Sequence, residues 1–191
     1  MQNLEYLAVA LAIAYLVLAT RQNIWCWFCA FFSSAIYTYI FWDVSLLMES
    51  ALNIFYVVMA VLGWWQWQYG GNEGEELPVT KLKLWQHGVL ISGVLGLALL
   101  NGWLMQRYTN AALPFIDAFT TWASVVTTFL VVKKVLENWL YWIVIDSISI
   151  YLYLDRGLTL TALLFAGYVL IAIFGFVNWK KDFNDVGQTL K

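Results

Sequence analysis

Charge is scarce in this chain. Of its 191 residues, 12% are Asp, Glu, Lys or Arg and 62% are hydrophobic. A soluble domain carries about 25% charged and about 45–50% apolar residues, so polar residues are too few here to cover a water-facing surface. The bilayer is the solvent that fits. Histidine is almost missing: a lone His87 argues against metal sites and histidine-base chemistry. Cysteine is reduced to Cys26 and Cys29 in a C-x-x-C spacing. With no second pair, this reads as two small apolar residues in a membrane helix rather than half a zinc site. Gly-x-Ser-x-Gly and a phosphate-binding glycine loop are both absent, so the chain is read as no enzyme, with no cofactor and no metal. A net charge of −2 supplies no basic field for nucleic acid.

What the chain has is aromatic and apolar length. Aromatics make up 18% of it, 12 of them Trp, the residue type that gathers at membrane interfaces. A helix needs about 20 mostly apolar residues to cross the hydrocarbon. Seven such segments are expected, at 4–20, 24–42, 45–68, 85–105, 114–132, 137–154 and 158–178. The first is read as a span, since Glu5 stands where a signal peptide carries basic residues. The hydrophilic stretch "GGNEGEELPVTKLK" (70–83) is a connector. The expectation is an all-α, multi-pass membrane protein.

Lysine and arginine set its orientation. Arg21, Lys81, Lys83, Lys133, Lys134, Lys180, Lys181 and Lys191 fall on one face of the membrane, and Arg107 and Arg156 on the other. This predicts the N-terminus outside and the C-terminus in the cytoplasm.

The chain also repeats. Trp25 aligns with Trp139, Ser33 with Ser147 and Tyr37 with Tyr151 at an offset of 114. At 112, Asp43 meets Asp155, Tyr56 meets Tyr168, Gly63 meets Gly175, Trp67 meets Trp179 and Arg21 meets Lys133. Spans 1–3 and 5–7 then read as copies of one three-helix unit. Because three is odd, span 4 restores direction and the two copies run parallel, the logic of parallel-repeat transporters with a site near the midplane. The expected organisation is a first bundle (1–69), a loop plus linker helix (70–113), a second bundle (114–179) and a short cytoplasmic tail (180–191). In the linker helix Gly88, Ser92 and Gly96 form a small-residue stripe, expected to pack closely.

"NWLYWIVIDS" (138–147) carries the sharpest functional signal. At about 100° per residue, Trp139, Trp142 and Asp146 lie at roughly 0°, −60° and −20°, on one helical face. Asp146 sits mid-span with no Lys or Arg within nine residues. A charge at the bilayer centre costs about 2.5–3.5 kcal/mol on insertion scales, and such a residue faces a cavity or a partner. Two indoles and a carboxylate suit a small, flat, cationic heterocycle. Span 5 adds Asp117, Thr121, Ser124 and Thr128 on one side, and span 3 adds Glu49, Asn53 and Tyr56. The candidate substrate contacts are Trp139, Trp142, Asp146, Asn53, Tyr56, Glu49, Thr121 and Asp117.

The segment 113–179, from "LPFIDAFTTWASVV" to "FGFVNW", resembles the PnuC family of bacterial vitamin transporters, as does "YVVMAVLGWWQW" (56–67). The specific parts are Asp117-Ala118 followed by Thr120-Thr121, and "ENWLYWIVID", which looks like that family's Trp-x-x-Trp-x-x-x-Asn/Asp motif. The resemblance implies a SWEET-like 3+1+3 fold, a homotrimer in the bacterial inner membrane, and facilitated diffusion of an unphosphorylated vitamin that a cytoplasmic kinase then traps. Nicotinamide riboside is the implied substrate and thiamine the runner-up. The resemblance also implies that Trp139, Trp142 and Asp146 contact the substrate. Other readings are a seven-helix sensor without flux, a membrane scaffold, or an ion-coupled carrier of another heteroaromatic solute.

Overall fold

The computed structural model describes residues 2–43, 47–71, 76–109, 113–155, 157 and 159–189, with the side chains of 2, 47–49, 160 and 186–189 left aside. Among these residues there are seven helices: α1 (Gln2–Thr20), α2 (Cys26–Asp43), α3 (Leu47–Tyr69), α4 (Leu84–Tyr108), α5 (Pro114–Val132), α6 (Asn138–Asp155) and α7 (Thr159–Thr189). Helices are the form lipid permits, because each satisfies its own backbone. Local chemistry marks their ends. The Asn23 side chain accepts from Trp25 N–H at 3.0 Å ahead of α2, Pro114 occupies the first turn of α5, and Gly157, at φ 71°, follows α6.

Four helices contain segments long and apolar enough to cross a membrane: Asn3–Thr20, Leu84–Tyr108, Pro114–Val132 and Thr161–Asp185. In the other three, α2, α3 and α6, several polar side chains are buried (Ser33, Ser34, Ser50, Asn138, Asp146 and Ser149). The seventh helix runs beyond the span expected to end at 178 and continues as far as Thr189. The start of this extension is anchored, since Trp179 Nε1 donates to Ala19 O at 3.0 Å and Asn178 Nδ2 to Thr20 O at 3.4 Å.

The chain forms two compact units. The first comprises 1–79, 132–134 and 178–191; the second comprises 80–131 and 135–177. In the first, α1 packs on α2 and α2 on α3, tied by side-chain hydroxyls. Ser33 donates to Ala8 O and Ser50 to Thr38 O, each at 2.9 Å. Trp27 presses on α3 where Gly63 leaves room; a Cβ there would lie 2.4 Å from the indole. In the second unit Trp139 presses on α7 at Gly175 in the same way, at 2.6 Å. The α4 helix meets α5 where Gly102 faces Phe115. Its buried stripe is Val94, Ala98 and Gly102, not the expected Gly88, Ser92 and Gly96. A Cβ at Gly88 or Gly96 meets nothing within 4 Å. The two stripes are two residues out of register, about 200° around the helix.

The turns after α1 and α5 share one hydrogen-bond pattern. Asn23 N–H bonds Leu18 O, and Val135 N–H bonds Leu130 O. Cys26 N–H bonds Asn23 O, and Asn138 N–H bonds Val135 O. Each turn holds a non-glycine residue in the left-handed region, Gln22 at φ 53° and Lys134 at φ 49°. These pairs stand 112 residues apart, as do Trp27 and Trp139, Gly63 and Gly175, and Trp67 and Trp179. One register therefore runs through both turns and into α2 and α6. The partner of Trp139 is Trp27, not Trp25, whose side chain is 60% exposed.

Enlarging either of the two packed glycines, as in Gly63→Val or Gly175→Val, should cost about 1–3 kcal/mol by overpacking, seen as a lower melting temperature in detergent. Gly88→Ala and Gly96→Ala should leave it unchanged or slightly raised.

Candidate functional site

The α6 helix begins at Asn138, a fully buried residue whose Nδ2 donates to Val135 O at 2.7 Å. One residue on, Trp139 is 2% exposed against Gly175. Trp142 turns elsewhere and packs, partly buried, on the cluster of Val94, Ala123 and Ile145. So the two indoles that share a helical face in projection lie against different helices, Trp139 on α7 and Trp142 towards α4 and α5. They do not stack on each other.

Asp146 follows one turn after Trp142 and is 6% exposed. Among the described residues no hydrogen bond or ion pair reaches its carboxylate. A buried polar group without a partner costs at least about 1–3 kcal/mol, more when charged, and natural proteins keep such groups where a ligand or water completes them. Ser149, one residue short of the next turn, is buried too; its hydroxyl donates to Ile145 O at 2.9 Å. The sequence reading passed over Ser149 because serine in an apolar helix carries no signal beyond helix packing. In the 112-residue register the counterpart of Asp146 is Ser34, also buried, whose carbonyl accepts from Thr38 at 2.8 Å. The carboxylate belongs to one copy alone.

The remaining candidates scatter over both units. Asp117 lies half-buried in the first turn of α5, where its carbonyl accepts from Thr120 Oγ1 at 3.0 Å. Thr121 follows one turn later, half-buried. Asn53 and Tyr56 belong to the first unit, on α3, both half-buried; the Tyr56 ring lies 5.5 Å from that of Phe55. Glu49 lies in α3, and its side chain is outside the described residues. In the second unit the structure thus places Asp117, Thr121, Trp139, Trp142 and Asp146, with Asp146 the one unpartnered buried acid of the set. The described residues contain no cluster of His, Cys, Asp or Glu able to hold a metal; Cys26 and Cys29 are free thiols.

The comparisons with known proteins agree on a transporter. The family described as nicotinamide mononucleotide transporter matches residues 2–181. The nicotinamide riboside transporter PnuC of Escherichia coli (strain K12) is 24% identical over 200 aligned residues, spanning 90% of this chain and 82% of that protein. The riboflavin/roseoflavin transporter RibM of Streptomyces davaonensis is 22% identical, spanning 88% and 80%. A crystal structure of the vitamin B3 transporter PnuC shares the fold with a TM-score of 0.73, at 22% identity, over 95% of this chain and 82% of that one.

The packing separates the two tryptophans experimentally. Trp139→Ala should cost about 3–5 kcal/mol as a buried cavity and lower the melting temperature in detergent sharply. Trp142→Ala, at a partly buried position, should lower it by less.

Proposed function

The chain belongs to the nicotinamide mononucleotide transporter family, and from that premise we propose that it carries an unphosphorylated, ring-bearing vitamin across the bilayer by facilitated diffusion. Nicotinamide riboside is the first candidate and thiamine the second. It is a multi-pass membrane protein of a transporter family and not an enzyme. The observation that carries the substrate reading is the buried, unpartnered carboxylate of Asp146 in an otherwise apolar stretch of α6. A pyridinium or thiazolium ring supplies the positive charge that this carboxylate lacks, and Trp142 offers a face for it. Trp139, pressed on Gly175, supports the site from behind. Asp117, Thr121, Asn53, Tyr56 and Glu49 are the further contacts of the proposal.

Charge also favours a nucleoside over its phosphate. No Lys or Arg occurs within Asn138–Asp155 or Pro114–Val132. A phosphate ester beside Asp146 would meet like charge with no cation to offset it, which is strongly unfavourable at low dielectric. The substrate is therefore the unphosphorylated form, and a cytoplasmic vitamin kinase that adds the phosphate would hold the product inside. In this reading all seven helices span the bacterial inner membrane with the C-terminus in the cytoplasm. The two three-helix bundles (1–69 and 114–179) flank a loop and linker helix (70–113) in a SWEET-like 3+1+3 order, and the protein is a homotrimer. The lysine and arginine bias, the shared turn pattern and the shared fold support it.

Asp146→Ala should abolish saturable uptake while folded protein remains in the membrane; undiminished uptake would remove Asp146 from the site. Nicotinamide riboside, and more weakly thiamine, should quench the intrinsic tryptophan fluorescence of purified protein. Nicotinamide mononucleotide should bind at least about tenfold more weakly, a difference of about 1.4 kcal/mol. Quenching by the mononucleotide alone would reverse the assignment. In liposomes, uptake should equilibrate and not rise above the outside concentration under a proton or sodium gradient.

A further inference from the structure

The two left-handed turns are occupied by residues that leave that region more readily than glycine does, yet Gln22 and Lys134 hold it at φ 53° and 49°. Strain of this sort persists where the side chain has a task. Both side chains reach the C-terminal ends of long helices within the first unit. Gln22 Nε2 donates to Asp182 Oδ2 on α7 at 2.6 Å. The Lys134 ammonium stands 4.8 Å from the centre of the Trp67 ring at the end of α3, and Lys134 is only 5% exposed. Asp182 and Glu76 are the acids near it, and the Cys26 thiol also lies close; burial holds the ammonium below the usual lysine range.

Between these two contacts the helix ends themselves meet. Trp67 and Trp179, which stand 112 residues apart in the repeat, make an edge-to-face pair with centroids 5.7 Å apart. Both side chains are fully buried. Trp27 stacks edge-on against Trp67 at 5.1 Å, and Trp179 Nε1 is held by Ala19 O. This plug lies at the lysine-rich end of the helices, beside Lys133, Lys180 and Lys181. It is buried, aromatic and made by repeat-related parts.

We propose that Trp67 and Trp179, clamped by Lys134 and Gln22, form the cytoplasmic closure of the translocation path, and that the α3 and α7 ends part there to release solute. The proposal rests on the transport reading and on the orientation given above. Its contacts are of a kind that can be remade. An aromatic edge contact, a cation over a ring and the Gln22–Asp182 hydrogen bond all exchange for water when the ends separate. The Lys134 ammonium gains hydration on opening, which offsets the loss of the ring beneath it.

The protein carries its own reporter. Cys26 is fully buried beside this plug, so a Cys29→Ser background leaves one thiol that opening exposes. Inside-out and right-side-out membrane vesicles are treated with a membrane-impermeant maleimide, and the rate of Cys26 labelling is measured. Labelling should be slow in the Cys29→Ser protein. From the cytoplasmic face it should quicken about tenfold in Trp179→Phe, which loses the bond to Ala19, and more in Trp67→Ala, as the population shifts to the open form. From the outer face it should not change. No acceleration in either variant, or equal acceleration from both faces, overturns the closure. If Trp67→Ala does not fold, Trp179→Phe decides alone. The readout needs no vitamin: one-sided acceleration in a protein that moves neither nicotinamide riboside nor thiamine keeps the closure and removes the substrate assignment.

Discussion

In each unit a tryptophan ring presses on a neighbouring helix at a glycine, where no side chain stands in the way, Trp27 at Gly63 and Trp139 at Gly175. Inside lipid the hydrophobic effect does not drive helices together, because hydrocarbon and protein interior accept apolar groups alike. Association there depends on close approach and on the few hydrogen bonds available. The indole–glycine contact supplies the first; the hydroxyls of Ser33 and Ser50, each donating to a carbonyl of another helix, supply the second. With α2 set on α3, and α6 set on α7, the faces that remain decide where polar groups can reside. Asp146, seven residues beyond Trp139, inherits its orientation from that contact.

Two features of the site follow from this arrangement. The carboxylate is in one copy of the repeat and a serine in the other, so packing is common to both halves of the sequence while ligand chemistry is not. The lysines and arginines lie outside α5 and α6, which leaves the acid without a counter-ion of the protein's own in those helices. In the proposed function a cationic ring from solution takes that role and a phosphate does not. The family description names the mononucleotide, and the E. coli relative is a nicotinamide riboside transporter.

One helical turn beyond Gly63 and Gly175 the same repeat brings like parts together. Trp67 and Trp179 meet edge to face, and the strained turns at Gln22 and Lys134 place a polar side chain on each side of them. The two turns share a backbone and differ in partner. Position 182 carries an aspartate that accepts from Gln22, whereas its counterpart, Gly70, has no side chain, and Lys134 settles over the Trp67 ring instead.

Sequence alone was sufficient for the membrane class and for seven helices, all but the C-terminal end of α7 within a few residues of their observed ends. These follow from a local quantity, apolar run length, which lipid makes decisive by forbidding unpaired backbone. Tertiary structure decided which face of each helix is inside. A helix that is apolar all round offers no contrast between core and lipid sides. Trp25 therefore looked equivalent to Trp139, yet it is exposed. For the same reason the stripe of Gly88, Ser92 and Gly96 looked like a packing seam and faces outward. The buried ammonium of Lys134 escaped notice because a lysine in a loop is ordinarily solvated; only the left-handed turn and the ring of Trp67, distant in sequence, turn it inward.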